Sequence, residues 1–301
     1  MIRPAAALAL AAAVSGCLSW HVGALPGEPA DATFVEVDGA RVRYLDVGKG
    51  EPVVMLHGFA SSLDTWAPVI AELQKTRRVL ALDLKGFGWS DRRPGGADDY
   101  APQAQAELVL AVMKARGIEK AAVVAHSWGS SVALRLALEH PEAVERLALY
   151  DAWVYDAQLP TTFHFARARG VGELLYAWTY RERAEEKLAF AFYDAAAVDQ
   201  RVIDGVEEQL SRPGTTAAAL AAVRGQRYDE IEERYGEVKV PVLLVWGRED
   251  RISTLSVGER LSKQLPRARL VVYPQCGHFP MYEAKNASNA EVVRFLAERT
   301  P

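Results

Sequence analysis

The chain has 301 residues, 50% of them hydrophobic and 25% charged, with 35 basic against 39 acidic side chains and a formal net charge of -4. No basic excess is present to neutralise a phosphate backbone, which excludes general nucleic-acid binding; the lack of long charge blocks and of repeats excludes a disordered or solenoid chain. Only two cysteines occur, Cys17 and Cys276, which excludes a disulfide scaffold and a cysteine-rich metal site.

The chain opens with Arg3, then an apolar run from Ala5 to Val14, then Ser15 and Gly16 before Cys17. The run has the length of a signal-peptide core and falls well short of the roughly 20 residues a bilayer span needs. Val14-Ser15-Gly16-Cys17 resembles the lipobox of bacterial lipoproteins. That resemblance implies removal of residues 1–16, diacylation of Cys17, and a lipid-anchored protein in the bacterial cell envelope. Leu18, in place of Asp, favours the outer membrane on the same resemblance. Two acyl chains anchor stably where one is marginal. A plain secretory peptide with an incidental cysteine, or a wrongly assigned start codon, are the alternatives. Residues 17–32 hold Gly23, Pro26, Gly27 and Pro29 and show little periodicity, so a flexible tether is expected there. Trp20 in that stretch meets either lipid headgroups or solvent.

The folded domain is expected over residues 33–301. Two alternating runs, Phe34–Val37 and Ala40–Val47, flank Asp38-Gly39 and predict an antiparallel hairpin. Short apolar runs follow at Val53–Leu56, Val79–Leu82, Ala122–Ala125, Leu147–Tyr150, Val242–Trp246 and Leu270–Tyr273. Such runs suit strands buried on both faces of a parallel sheet. Helical patterns at Ala104–Arg116, Ser130–Glu139, Val257–Leu265 and Ala290–Arg299 alternate with them. The fold class is therefore α/β, a three-layer sandwich with a mostly parallel sheet. Residues 153–238 show helical patterning and no strand. They are expected to form a cap over the carboxyl edge of the sheet, where open α/β sheets bind ligands.

Ala125-His126-Ser127-Trp128-Gly129 joins a strand to a helix, the context of a nucleophile elbow. Small residues at Ser127 ±2 are needed if the turn is sharp; Gly129 meets that need and Ala125 departs from glycine by one methyl. His57-Gly58-Phe59 follows one strand, Asp250 another and His278 the last. The chain order is Ser, Asp, His.

Together with the Asp83-Leu-Lys-Gly-Phe-Gly-Trp-Ser90 loop, these motifs resemble the α/β-hydrolase superfamily in its capped, esterase-like branch, over residues 34–299. The resemblance implies Ser127 as nucleophile, His278 as base and Asp250 as the acid that orients it. The backbone N–H groups of Phe59 and Trp128 form the expected oxyanion hole. Asp151 and Glu249 are alternative acids, and Cys276 is a poor alternative nucleophile. His57 and His126 are expected to pack beside the site, Asp83 to hold a turn, and His21, His140 and His164 to lie on the surface or cap. Relatives that open epoxides or cleave haloalkanes carry Asp at the elbow, so Ser127 points to acyl transfer. Prolyl iminopeptidases carry His-Gly-Gly-Pro-Gly where this chain has His57-Gly-Phe-Ala-Ser.

Ten cap aromatics (Trp153, Tyr155, Phe163, Phe165, Tyr176, Trp178, Tyr180, Phe190, Phe192 and Tyr193) suggest an apolar acyl or alcohol pocket. No metal triad, dinucleotide fingerprint or phosphate loop is present, so no cofactor is expected. The expected activity is hydrolysis of a small, largely apolar carboxylic ester through an acyl-enzyme. The alternatives are C–C bond, amide or lactone hydrolysis on the same triad, and a non-catalytic surface lipoprotein. The expected partners are that small-molecule substrate and, through the anchor, a membrane.

Overall fold

The computed structural model describes residues 18–181, 184–198 and 200–298; the expected signal segment, residues 1–16, and Cys17 lie outside them. Eight strands form one sheet: β1 Thr33–Val37, β2 Ala40–Gly48, β3 Pro52–Leu56, β4 Arg78–Leu82, β5 Ala121–His126, β6 Val144–Tyr150, β7 Val242–Gly247 and β8 Ala268–Tyr273. Their spatial order is β1-β2-β4-β3-β5-β6-β7-β8. β1 and β2 pair antiparallel around Asp38-Gly39, as the alternating runs predict, and β2 meets β4 antiparallel. Every later pairing is parallel. Strands β3, β5 and β7 are buried almost throughout, which explains their unbroken apolar sequences.

The helices are α1 Ala67–Leu73, α2 Ala97–Tyr100, α3 Pro102–Ala115, α4 Trp128–Glu139, α5 Thr161–Arg167, α6 Val171–Thr179, α7 Ala184–Ala191, α8 Gln200–Ser211, α9 Thr215–Arg224, α10 Leu255–Gln264, α11 Pro280–Glu283 and α12 Lys285–Ala297. Two apolar layers cover the sheet. One joins β-strand residues such as Val54, Leu82 and Leu149 to α3 and α4; the other joins Val53, Val124 and Val245 to α1 and α12.

Between β6 and β7 the described residues hold helices and no strand. Both ends of this insertion belong to the main core: Trp153, Tyr155, Tyr228 and Tyr235 pack with the sheet. Only its middle is a separate cap, built on clusters around Ala166, Tyr176, Tyr180, Leu210 and Leu220 and around Leu188, Phe192 and Ile203. Helix α9 is alanine-rich and buried through Val223, so it lets cap and core approach closely.

The described part of the expected tether, residues 18–32, lies against the domain instead of standing free. His21 bridges to Arg92, Gly23 N–H donates to Asp91 at 3.0 Å, and Arg41 clasps Glu28 at 2.6 Å. Leu25 is buried, and Trp20 stacks on Tyr100 with ring centroids 5.5 Å apart. Aperiodic Gly/Pro-rich sequence has no regular structure to announce, yet single side chains still find partners on the surface beside it.

Candidate active site

The strand ends bring the predicted residues together at the carboxyl edge of the sheet. Ser127 follows β5, Asp250 follows β7, His278 follows β8 and Phe59 follows β3. Ser127 has φ 49° and ψ -123°, a conformation that L-residues rarely adopt. Its N–H donates to Tyr150 O at 2.9 Å, and its carbonyl accepts from Ser130 and Trp153. These bonds over-determine the strained turn and lift the side chain away from the strand.

The turn also sets the neighbours. A Cβ on Gly129 would lie 2.4 Å from His57 O, and one on Gly58 would lie 3.1 Å from the Ser127 Cβ. Close approach of the β3 loop to the elbow therefore requires Gly129, and packs Gly58 tightly against it. Ala125 sits fully buried within β5, where one methyl is accommodated.

His278 Nε2 lies 2.9 Å from Ser127 Oγ, and His278 Nδ1 lies 2.7 Å from Asp250 Oδ2. All three residues are buried. Asp250 Oδ1 accepts the N–H groups of Ile252 and Ser253 at 2.7 and 3.0 Å, so both carboxylate oxygens are held. Among the described residues, neither the Phe59 nor the Trp128 N–H donates to a protein acceptor. The Trp128 amide opens α4, where the helix dipole favours negative charge.

The alternative acids have other work. Glu249 Oε2 accepts the Cys276 N–H at 3.0 Å and braces the histidine loop. Asp151 is fully buried, and its Oδ1 accepts the Gly247 N–H at 2.9 Å. Burial, and then the neighbouring Asp250 charge, hold the Asp151 carboxyl well above the usual carboxylate range, so it stays protonated. Asp151, Asp250 and His278 present ligand atoms within 4.8 Å of one another, a spacing compatible with a metal ion. The bonds just described tie His278 to Asp250, and both Asp250 and Asp151 to the backbone. Burial pushes the Cys276 thiol far above its ordinary value, which removes the thiolate a nucleophile needs.

His57 and His126 shape the site from outside it. His57 Nε2 accepts the Leu84 N–H at 2.9 Å, and its Nδ1 donates to Gly58 O at 2.7 Å. That turns the Gly58 carbonyl away from the side on which the Phe59 amide lies free. His126 Nε2 donates to His278 O at 2.8 Å. Burial keeps both imidazoles below their ordinary value, hence neutral. Asp83 holds its turn by accepting from Leu63 and Trp89 at 2.7 and 2.8 Å. Of the remaining histidines, His140 lies 2.8 Å from Glu107, and His164 is exposed on α5.

Sequence reasoning missed Glu283. Its carboxylate accepts the N–H groups of Gly277, Phe279 and Tyr193, fastening the His278 loop to the cap. The His278 N–H itself donates to Ala191 O, at the end of α7, at 2.7 Å. The available signal was an acid five residues past His278, just after Pro280 had opened a helical turn.

The cap aromatics divide into two sets, which corrects the expectation of one shared pocket. Phe59 packs near Phe163 and Tyr180, with ring centroids 6.1 and 6.4 Å apart, linking the oxyanion loop to the cap. Phe192 stacks on Phe279 at 4.9 Å beside His278. Phe165, Trp178, Phe190 and Tyr193 instead face outward. A count of aromatic residues carries no face; their helical phase does.

Residues 51–285 match the α/β hydrolase fold family. The chain belongs to that family. It is 32% identical over 286 residues to the 2-hydroxymuconate semialdehyde hydrolase of Pseudomonas sp. strain CF600, covering 86% of this chain and 92% of that one. A solved meta-cleavage product hydrolase from Pseudomonas fluorescens IP01 superposes with a TM-score of 0.75 at 28% identity, covering 87% of this chain and 96% of that one. A membrane phospholipase A, described as a bacterial virulence factor, superposes with a TM-score of 0.72 at 27% identity, covering 97% and 91%. The protein is accordingly an α/β-fold hydrolase.

Proposed function

We propose that this hydrolase cleaves carboxylic esters of small, largely apolar substrates through an acyl-enzyme on Ser127. The observation that carries the proposal is the hydrogen-bonded relay from Ser127 through His278 to Asp250, set on a strained elbow beside two free amides. Ser127 Oγ attacks the ester carbonyl as His278 Nε2 takes its proton. Asp250 stabilises the resulting imidazolium, while the Phe59 and Trp128 amides hold the oxyanion. His278 then protonates the departing alcohol, and water attacks the acyl-enzyme by the same route in reverse. The rings of Phe59, Phe163 and Tyr180 offer an apolar wall to an uncharged acyl or alcohol group.

The test is an ester panel varied separately in its acyl and alcohol portions, run on wild type and Ser127→Ala. Ser127→Ala is expected to fold, to lose turnover by about 10³-fold or more, and to escape fluorophosphonate labelling. Full turnover by Ser127→Ala would overturn the assignment. Hydrolysis of a C–C bond is the second reading. The named activity of the 32% identical relative favours it, and the same serine, base and oxyanion hole serve a carbon leaving group. Comparing turnover of apolar esters with that of 2-hydroxy-6-oxo-dienoates discriminates the two.

We further propose that the enzyme is held at a cell-envelope membrane through a lipid on Cys17. The phospholipase comparison, which covers nearly the whole chain, supports this setting. Cys17→Ala is expected to release the enzyme from the membrane fraction, and a wild type already free of membranes would refute the anchor.

A further inference from the structure

Helix α6 has two faces of unlike fate. Tyr176, and Tyr180 just past its end, turn inward to pack with Ala166, Leu210 and Leu220. Val171, Leu174 and Trp178, spaced i, i+3 and i+7, stand together on the other face and are exposed. Trp178 is 77% exposed, and Phe165 on the adjoining helix α5 is 60% exposed. The two helices touch closely: a Cβ on Gly172 would lie 2.2 Å from Ala166 O. Large apolar side chains exposed on two adjoining helices mark a place of contact with something apolar.

The polar residues around this surface narrow the choice of occupant. Residues 161–181 carry Arg167, Arg169 and Arg181 against Glu173 alone, in a chain whose net charge is -4. Glu173 is paired with Arg224 at 2.9 Å. Arg169 and Arg181 are exposed, one before the first turn of α6 and one after its last. An apolar stripe with arginines at both ends matches an anionic headgroup layer over acyl chains. A second copy would bring like charges together. The path of the N-terminus adds an independent argument. Leu18, the residue after Cys17, packs against the same cap cluster as Ala166, Tyr176 and Tyr180. The described chain therefore begins, one residue after Cys17, against the cap.

We propose that the outer face of α5 and α6 docks on an anionic phospholipid bilayer, with Trp178, Leu174, Val171 and Phe165 entering the interface. This deepens the membrane setting proposed above: the anchor tethers, and the cap face orients. A substrate ester drawn from the bilayer would then meet the enzyme at its cap.

The experiment removes the anchor and reads the face. The full chain bearing Cys17→Ala is mixed with vesicles of one part phosphatidylglycerol to three parts phosphatidylethanolamine, and bound protein is measured by flotation. Adding Leu174→Glu and Trp178→Glu should weaken binding about tenfold or more. The milder pair Leu174→Ser and Trp178→Gln should weaken it less, in the same direction. Arg169→Gln with Arg181→Gln should reduce the preference for these vesicles over phosphatidylcholine vesicles. Equal vesicle binding by Cys17→Ala and its stripe variants overturns the proposal. So does a concentration-dependent dimer that the stripe variants abolish, because the face then belongs to a second copy. Thermal melts and turnover of a soluble short-chain ester are followed in parallel, and the stripe variants should match their parent in both. Absence of that turnover in the wild type would refute the ester reading alone, and loss of membrane retention by the wild type would refute the anchor alone.

Discussion

Around Ser127, backbone approaches backbone. Gly129 touches His57 O, Gly58 faces the elbow, and Ser127 itself occupies a strained φ. In the cap, contacts are mostly between side chains; Gly172 abuts the Ala166 carbonyl, but Gly205 in α8 meets nothing within 4 Å. The first region admits few residue types at each position and so writes a motif. The second admits any set of apolar residues with the right helical phase, and so writes only a composition.

Exchange of the two buried acids tests this contrast with the largest expected effect. Asp250→Asn removes the charge facing His278 Nδ1 and can leave the wrong tautomer, so turnover should fall by about 10⁴-fold. Asp151→Asn replaces a carboxyl that is already neutral and can still accept from Gly247, so turnover should stay within about tenfold. Steady-state kinetics on one soluble ester measures both, and equal losses would show that Asp151 shares the orienting role.

A second exchange compares the glycines. Gly129→Ala drives a methyl against the His57 and Leu56 carbonyls, at 2.4 and 2.7 Å, which backbone cannot relieve cheaply. A loss of about 4 kcal/mol or more is expected, read from the denaturant midpoint. Gly205→Ala in open helical space should instead stabilise by about 0.5–1 kcal/mol. A tolerated Gly129→Ala would mean that the loop after β3 moves freely, contrary to the required approach.

The same contrast explains what could be read beforehand. The sheet was legible because strands covered on both faces need unbroken apolar runs, as in Val53–Leu56 and Val242–Trp246. Ser127, Asp250 and His278 were legible because each follows such a run in chain order, and the structure places them within hydrogen-bond reach. The docking of residues 18–32 was not legible, since it rests on isolated pairs such as Arg41 with Glu28 and Trp20 with Tyr100. Nor was Glu283, which acts through three backbone amides from separate segments. Pairs of that kind leave no period in the sequence.

The smallest expected effect concerns the protons these buried groups refuse or retain. His57 and His126 are neutral in the fold, while in the unfolded chain each titrates near 6.5. As pH falls below that value the unfolded state takes up two protons that the native state does not, so each histidine lowers stability by up to about 1.4 kcal/mol per pH unit. Asp151 acts with the opposite sign. Its carboxyl is protonated in the fold, whereas unfolded it is ionised above 3.8. The native state there holds one proton more, so this group raises stability as pH falls towards 3.8. As pH falls through the range in which the unfolded histidines titrate, the Asp151 contribution therefore opposes theirs. Asp151→Asn removes the opposing contribution and should steepen the slope. His126→Asn removes one histidine and should make the slope shallower. Denaturant melts of the three proteins across that range give the slopes directly. A wild-type slope that Asp151→Asn leaves unchanged would mean that Asp151 is ionised in the fold, and that two carboxylates, not one, face His278.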